Sequence, residues 1–257
     1  MVGRPKWPAL LHLSSTVRLK CTFRIYPLVK RREMIDGNSE YIVQLNNHSI
    51  AFDDVVQRVA RLREHYQRHD WIRLPGLISE ALLERVMQGI AGTRFHDFTH
   101  PDIKSNKELQ LGECAALKLL ELVMNNAQLF QFLDRITDCG HIGSFAGRVY
   151  RFDSQNGHHD AWHDDSGFHR RLALSLNLSP DVYEGGALAL RSKSQKERVS
   201  TVTNTVLGDA LVFRIADSLE HRVSNVTGAH AKTAFAGWFR SAPEFGEKIL
   251  NKTQSLT

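Results

Sequence analysis

Residues 172–190 read LALSLNLSPDVYEGGALAL, two apolar runs separated by Ser, Pro, Asp and a Gly-Gly pair. Short apolar runs bounded by such residues are typical of β-strands joined by turns. The same pattern extends in both directions and predicts seven strands, which is typical of a double-sheet jelly roll. The predicted strands lie near 148–152, 172–178, 188–191, 199–203, 210–214, 221–223 and 233–239.

The first half of the chain has helical periodicity. Apolar residues recur at helical spacing over 52–67, and a third helical region over 117–136 is rich in Leu. Between them, a short strand over 71–75 precedes a helix from Ser79 to about Ile90, with the Ser79 hydroxyl as its N-cap. Helices followed by antiparallel strands predict an α+β fold: a double-stranded β-helix (jelly-roll) core with N-terminal helices packed on one sheet.

The chain is long enough for one large domain. It has 257 residues, 42% of them hydrophobic and 24% charged, which is ordinary for a globular protein. No run of about 18 apolar residues is present, so no membrane span is expected. We predict one domain over 34–257, helical over about 50–140 and a jelly roll over about 141–241.

The formal net charge of +5 is concentrated at the N-terminus. Residues 1–33 contain eight Lys or Arg against one acid, a net charge of +7, which leaves −2 for residues 34–257. The folded part therefore lacks the positive excess of a nucleic-acid-binding domain, and nucleic acid is not an expected partner. Residues 1–33 are interpreted as a basic, disordered segment. The three cysteines are widely spaced without a C-x-x-C pair, which favours a reducing, cytoplasmic setting.

His163 and Asp165 are two residues apart, so on extended backbone both side chains point to the same face. His221, after the apolar strand at 210–214, would complete a set of two histidines and one carboxylate. Three protein ligands on one face of an iron(II) ion leave positions open for a co-substrate and oxygen. With 13 histidines in the chain, this spacing alone is weak evidence. A second H-x-D, His158 and Asp160, is an alternative to His163 and Asp165.

The residues around these histidines follow a longer pattern. After the H-x-D come YEGGALAL at 183–190, GDALVF at 208–213, HRV at 221–223, and Lys232 six residues before Trp238-Phe239. In this order the chain resembles the prolyl 4-hydroxylase-like branch of the Fe(II)/2-oxoglutarate-dependent dioxygenase superfamily. The resemblance covers roughly residues 70–241 and is strongest from 148 onward.

The resemblance implies a hydroxylase that uses Fe(II), with 2-oxoglutarate as co-substrate, O2, and ascorbate as a further candidate cofactor. It implies His163, Asp165 and His221 as iron ligands, and Lys232 as the partner of the far carboxylate of 2-oxoglutarate. Family members often have Arg at this position, nine or ten residues after the distal histidine; here Lys is at eleven, which leaves His230 as a minor alternative. Tyr150 resembles a family position whose hydroxyl reaches the same carboxylate.

The substrate is not readable from the sequence, and neither is the oligomeric state. A small molecule or a peptide would fit, with prolyl or another protein or amino-acid side chain favoured by resemblance only. Substrate selection in such folds belongs to loops, and 94–110 and 157–160 carry no readable preference. A non-catalytic sensor, or a cupin-like metal protein with the same barrel, is the alternative function; a basic residue aimed at the metal would argue against it.

Overall fold

In this computed structural model all described residues fall within 34–257, so the predicted basic segment 1–33 lies outside them. No helix among them is long and apolar enough to span a membrane. The described residues are 41–53, 56–100, 107–156, 158–167 and 169–242.

The α-helices of the described part of the chain all precede residue 140. The Ser79 hydroxyl accepts the Leu82 N–H, as predicted for a helix N-cap. The helices are α1 (Val56–His69), α2 (Glu80–Ala91), α3 (Ala115–Met124) and α4 (Ala127–Thr137).

Two helix predictions need correction. The first helix begins at Val56, because residues 50–52 form a strand instead. The helical region predicted over 117–136 is two helices, since the Asn126 side chain accepts the N–H groups of Gln128 and Leu129 and so caps a new helix. Asn is a strong N-cap residue, which accounts for the start of a new helix at this point.

The strands occupy both halves of the chain. The seven strands predicted after residue 140 are all present, with bounds shifted by up to four residues. The strands are β1 (Val43–Leu45), β2 (Ile50–Phe52), β3 (Trp71–Leu74), β4 (Phe95–Thr99), β5 (Lys107–Leu111), β6 (Ser144–Phe152), β7 (Asp160–His163), β8 (Arg170–Asn177), β9 (Glu184–Gly185), β10 (Leu188–Ser192), β11 (Val199–Val202), β12 (Ala210–Arg214), β13 (Leu219–Val223), β14 (Val226–Thr227) and β15 (Lys232–Arg240).

Two antiparallel sheets form the double-stranded β-helix. The larger sheet has seven strands in the order β3-β12-β8-β15-β6-β5-β4, and the smaller has four in the order β11-β10-β13-β7. The segment predicted to be helical therefore also supplies β3, β4 and β5 to the larger sheet. The β4–β5 hairpin went unpredicted because its residues are mostly polar or charged.

Alternation along the strands separates the helix-facing core from the barrel interior. On β15, Phe235 and Phe239 are fully buried in the large cluster that includes the helices, whereas Lys232, Ala236 and Trp238 line a cavity between the sheets. Side chains two apart on a strand share a face, so the even spacing of Lys232 and Trp238 places both on the cavity side.

Candidate active site

The two predicted histidine ligands form a cross-strand pair. His163 on β7 lies directly opposite His221 on β13, and their ring centroids are 4.2 Å apart. Residues paired in this way on antiparallel strands have side chains on the same face. Both rings therefore face the cavity between the sheets, where Phe213 of β12 packs 5.0 Å from the His221 ring.

Asp165 lies just past the end of β7 and completes the predicted set. One carboxylate oxygen, Oδ2, is 3.3 Å from His221 Nε2, and the other, Oδ1, is 3.7 Å from His163 Nε2. The predicted extended backbone ends at His163, so the loop after the strand brings the carboxylate to the imidazoles. The structure brings all three predicted residues together.

Of these separations, the one of 3.3 Å suits a divalent ion and the one of 3.7 Å is slightly long. With metal–ligand bonds of about 2.1 Å, two ligands at roughly 90–110° are about 3.0–3.4 Å apart. His163 Nδ1 lies 2.7 Å from the carbonyl oxygen of Ala161. Because that contact requires a proton on Nδ1, it leaves the Nε2 lone pair toward Asp165 for a metal.

The electrostatics of Asp165 favour its charged form. Burial raises its pKa, but hydrogen bonding from His221, the charges of His221 and His163, and the Trp238 N–H outweigh burial and hold that pKa well below the ordinary range. Asp165 is therefore ionised at neutral pH, and a metal ion need not displace a proton from it.

A second carboxylate, Asp160, lies on the other side of the His163 ring. Its Oδ1 is 3.6 Å from His163 Nδ1, and Asp160, His163 and His221 each offer a ligand atom within 4.8 Å of the others. We favour Asp165 as the ligand, because Asp160 faces the ring nitrogen that donates to Ala161. Burial raises the pKa of Asp160, although His163, His221 and Arg148 act against it.

His158, the other residue of the alternative H-x-D, is not part of this cluster. It is buried, and its Nδ1 accepts the backbone N–H of Asp153 at 3.0 Å. Its ring lies 6.3 Å from that of Phe152. These contacts give His158 a structural role in the loop before β7.

Lys232 is buried in the same cavity as the histidine pair. Its Nζ donates to the carbonyl oxygen of Gly186 at 2.7 Å and lies 6.0 Å and 5.9 Å from the ring centres of Tyr150 and Tyr183. Burial lowers the pKa of Lys232 to about 8, and the charge of Asp160 offsets part of this effect. The alternative, His230, is exposed and lies 3.6 Å from Asp181, so it does not face the cavity.

The Gly-Gly turn supports Lys232 directly. Gly185 and Gly186 have φ values of 72° and 58°, as predicted for turn glycines. A Cβ on Gly186 would meet Cδ of Lys232 at 3.0 Å. The turn therefore supplies both the carbonyl acceptor and the space for the lysine side chain.

Tyr150 lies on β6 with its ring in the cavity lining. It is buried, and burial raises its pKa above the ordinary tyrosine value, so its hydroxyl keeps its proton as a hydrogen-bond donor. The prediction that places Tyr150 near the co-substrate is consistent with this position.

The cavity wall contains a buried ion pair that was not predicted from the sequence. Arg148 on β6 donates from Nε and Nη2 to the two carboxylate oxygens of Glu108 at 2.5 and 3.0 Å, and Gln110 donates to the same carboxylate. Glu108 and Gln110 lie two apart on β5 and so share a face. The alternation of KELQL at 107–111 was the available signal for a strand with a polar inner face.

Comparison with known proteins gives a family match over the part of the chain that contains this site. Residues 147–240 match the family model described as the 2OG-Fe(II) oxygenase superfamily. A search of curated proteins gives no significant match.

Several solved structures are similar to this chain. An oxidoreductase of the 2OG-Fe(II) oxygenase family from Burkholderia pseudomallei has a TM-score of 0.56 at 14% identity, covering 72% of this chain and 92% of its own. A prolyl-4-hydroxylase from Pseudomonas putida has 0.52 at 16%, covering 72% and 99%. A prolyl hydroxylase from Trichoplax adhaerens, in complex with a hypoxia inducible factor oxygen degradation domain peptide fragment, has 0.55 at 16%, covering 72% and 92%.

The matched segment runs from within β6 to the end of β15. It contains the histidine pair, both nearby carboxylates, Lys232 and Tyr150, whereas Glu108 lies outside it. The site therefore lies in the part of the chain that is similar to the 2OG-Fe(II) oxygenase superfamily, and the fold is similar to those of two solved prolyl hydroxylases.

Proposed function

We propose that the chain is an Fe(II)- and 2-oxoglutarate-dependent dioxygenase that hydroxylates a C–H group of its substrate and releases succinate and carbon dioxide. The observation that carries this proposal is the position of Lys232. A buried ammonium shares one cavity with two imidazoles and a carboxylate whose ligand atoms are separated by distances suited to a metal ion. If a dicarboxylate binds the metal with one end, the carboxylate at its other end is a partner for this ammonium.

His163, Asp165 and His221 would hold the iron through the two Nε2 atoms and a carboxylate oxygen. The Ala161 carbonyl fixes the tautomer and orientation of His163, and ligand geometry of this kind depends on such contacts. When bound, iron(II) would supply the chemistry of C–H hydroxylation, with O2 as the oxidant and 2-oxoglutarate as the co-substrate that is converted to succinate and carbon dioxide.

Lys232 would bind the far carboxylate of 2-oxoglutarate, with the Tyr150 hydroxyl as a further donor. The cavity excludes most bulk water from Lys232, which is 5% exposed. A charge-assisted hydrogen bond in such surroundings is stronger than one at the surface and would orient the co-substrate. A cupin-like metal protein or a sensor without a co-substrate would have no use for this buried charge.

For the substrate we propose a peptide or amino-acid side chain, with prolyl residues as the first choice. Support comes from the two prolyl hydroxylases with similar folds, one of them seen with a peptide. Ascorbate is proposed only as a reductant that maintains Fe(II). Cys114 and Cys139 are free thiols, which is consistent with the proposed cytoplasmic location.

The test is succinate formation. Purified protein is incubated with Fe(II), 2-oxoglutarate, ascorbate and air, with and without proline-containing peptides, and succinate is measured by mass spectrometry. We expect succinate from the wild type and none above background from His221→Ala. His230→Ala, which changes an exposed histidine outside the cavity, is the matched control and should retain the wild-type rate. A wild-type protein that binds iron but forms no succinate would support the non-catalytic alternative.

A further inference from the structure

Asp165 has two side-chain partners that do not bind metal. The indole N–H of Trp238 donates to Oδ2 at 2.7 Å, and Nη1 of Arg170 donates to Oδ1 at 3.1 Å. The same Arg170 nitrogen is 3.3 Å from the backbone carbonyl oxygen of Asp165. Each carboxylate oxygen therefore accepts one hydrogen bond from a side chain other than the two histidines.

The two donors also pack against each other. The guanidinium carbon of Arg170 lies 3.8 Å from the centre of the Trp238 ring, within the distance of a cation–π contact. Arg170 begins β8 and Trp238 lies on β15, two neighbouring strands of the larger sheet. The Asp165 carboxylate is thus attached to the rigid sheet, although the residue itself lies in a loop.

We propose that Trp238 and Arg170 are positioning residues that fix the Asp165 carboxylate for metal binding, an inference that rests on the proposed function. A carboxylate has about four acceptor sites on its two oxygens, so one donor on each oxygen leaves sites free for a metal ion. Two donors on different oxygens prevent rotation of the carboxylate. The loop then needs no ordering when the metal binds.

This arrangement also separates Asp165 from Asp160. Both carboxylates lie within 4 Å of an imidazole nitrogen, but Asp165 faces Nε2 of both histidines. The Trp238 and Arg170 contacts hold it there. Removing one contact that orients a metal ligand commonly weakens metal binding by about 10- to 100-fold.

The experiment uses Co(II) as the probe on the full-length, chelator-treated protein, with binding followed through the visible d–d absorption of the ion. Trp238→Phe keeps an aromatic ring beside Arg170 and removes the N–H donor. Trp71→Phe is the matched control, because Trp71 lies on β3 of the same sheet and donates to Ser200 Oγ at 3.3 Å, away from the cavity lining. Arg170→Met is a second variant, and circular dichroism checks that each protein is folded.

We expect Trp238→Phe to weaken Co(II) binding by about 10-fold or more and to shift the d–d bands, whereas Trp71→Phe keeps the wild-type affinity and spectrum. If Trp238→Phe does not fold, the same loss in Arg170→Met carries the test. Equal affinities and spectra for the wild type, Trp238→Phe and Arg170→Met would overturn this inference and leave the proposed function unaffected. An equal loss in Trp71→Phe would also overturn it, since the effect would then be general. A wild-type protein that binds no Co(II) would overturn the proposed function itself.

Discussion

Replacing Lys232 with methionine should stabilise the protein without ligands while weakening its affinity for 2-oxoglutarate. Burial lowers the Lys232 pKa from 10.5 to about 8. At about 1.4 kcal/mol per pH unit, this corresponds to about 3 kcal/mol against the charged form in the folded protein. Loss of the hydrogen bond to Gly186 would return about 1 kcal/mol, so we expect a net gain of about 2 kcal/mol at pH 7. That gain raises Tm by about 4–8 °C.

The pH dependence of this gain is a direct check on its cause. Between pH 8 and 10.5 the Lys232 side chain keeps its proton in the unfolded chain and loses it in the folded one. The unfolded state then binds more protons, so wild-type stability from this group rises with pH over that range. The methionine variant lacks this rise, and its advantage should shrink toward pH 10.5.

Denaturant unfolding at pH 7 and pH 10 measures both quantities, and calorimetry measures 2-oxoglutarate binding in the presence of Fe(II) without oxygen. Lys118→Met is the control, because Lys118 is an exposed lysine on α3 and should change little in either assay. We expect 2-oxoglutarate binding by Lys232→Met to weaken about 10- to 100-fold. A variant less stable than wild type at pH 7, or equally stabilised at both pH values, would refute the reasoning.

Three further predictions concern the same cavity. Because binding of 2-oxoglutarate needs the protonated form of Lys232, the Kd of 2-oxoglutarate should rise about tenfold per pH unit above pH 8. The Kd should stay nearly flat from pH 6.5 to 7.5, and a flat profile to pH 9.5 would contradict this prediction. Asp165→Asn should abolish measurable Fe(II) binding in an equilibrium titration, whereas Asp160→Asn should stay within about threefold of wild type, and the reverse order would identify Asp160 as the ligand. Gly186→Ala places a Cβ 3.0 Å from Lys232 Cδ at a positive φ, so it should weaken 2-oxoglutarate binding more than Fe(II) binding, as compared by calorimetry.

The sequence predicts the barrel well, because strand patterns are local. In apolar runs such as 172–178 and 210–214, successive side chains alternate between the helix-facing core and the barrel interior. Gly, Pro and Asp mark the ends of these runs. The Lys232 and Trp238 pair is predictable for the same reason, since an even spacing on one strand fixes a shared face. The α3–α4 break was missed because Leu-rich periodicity on both sides hides one capping asparagine.

The contacts between polar side chains in the cavity wall could not be predicted in the same way. Glu108 and Arg148 meet across neighbouring strands that are 40 residues apart in the chain, and no local pattern encodes that pairing. The contacts of Asp165 are similar, since Trp238 lies 73 residues away from it. The hydrogen bond from Trp238 was not predicted, because packing and hydrogen bonding by an indole look alike in one sequence.

The most direct test of the account is an anaerobic titration of Fe(II) and 2-oxoglutarate into the purified protein, followed by visible absorption. 2-Oxoglutarate bound to Fe(II) at this site would give a visible metal-to-ligand charge-transfer band. We expect this band to saturate at one iron and one 2-oxoglutarate per chain and to be absent in His163→Ala. A wild-type protein without the band, or a His163→Ala variant that keeps it, would contradict the assignment of an iron site at His163, Asp165 and His221.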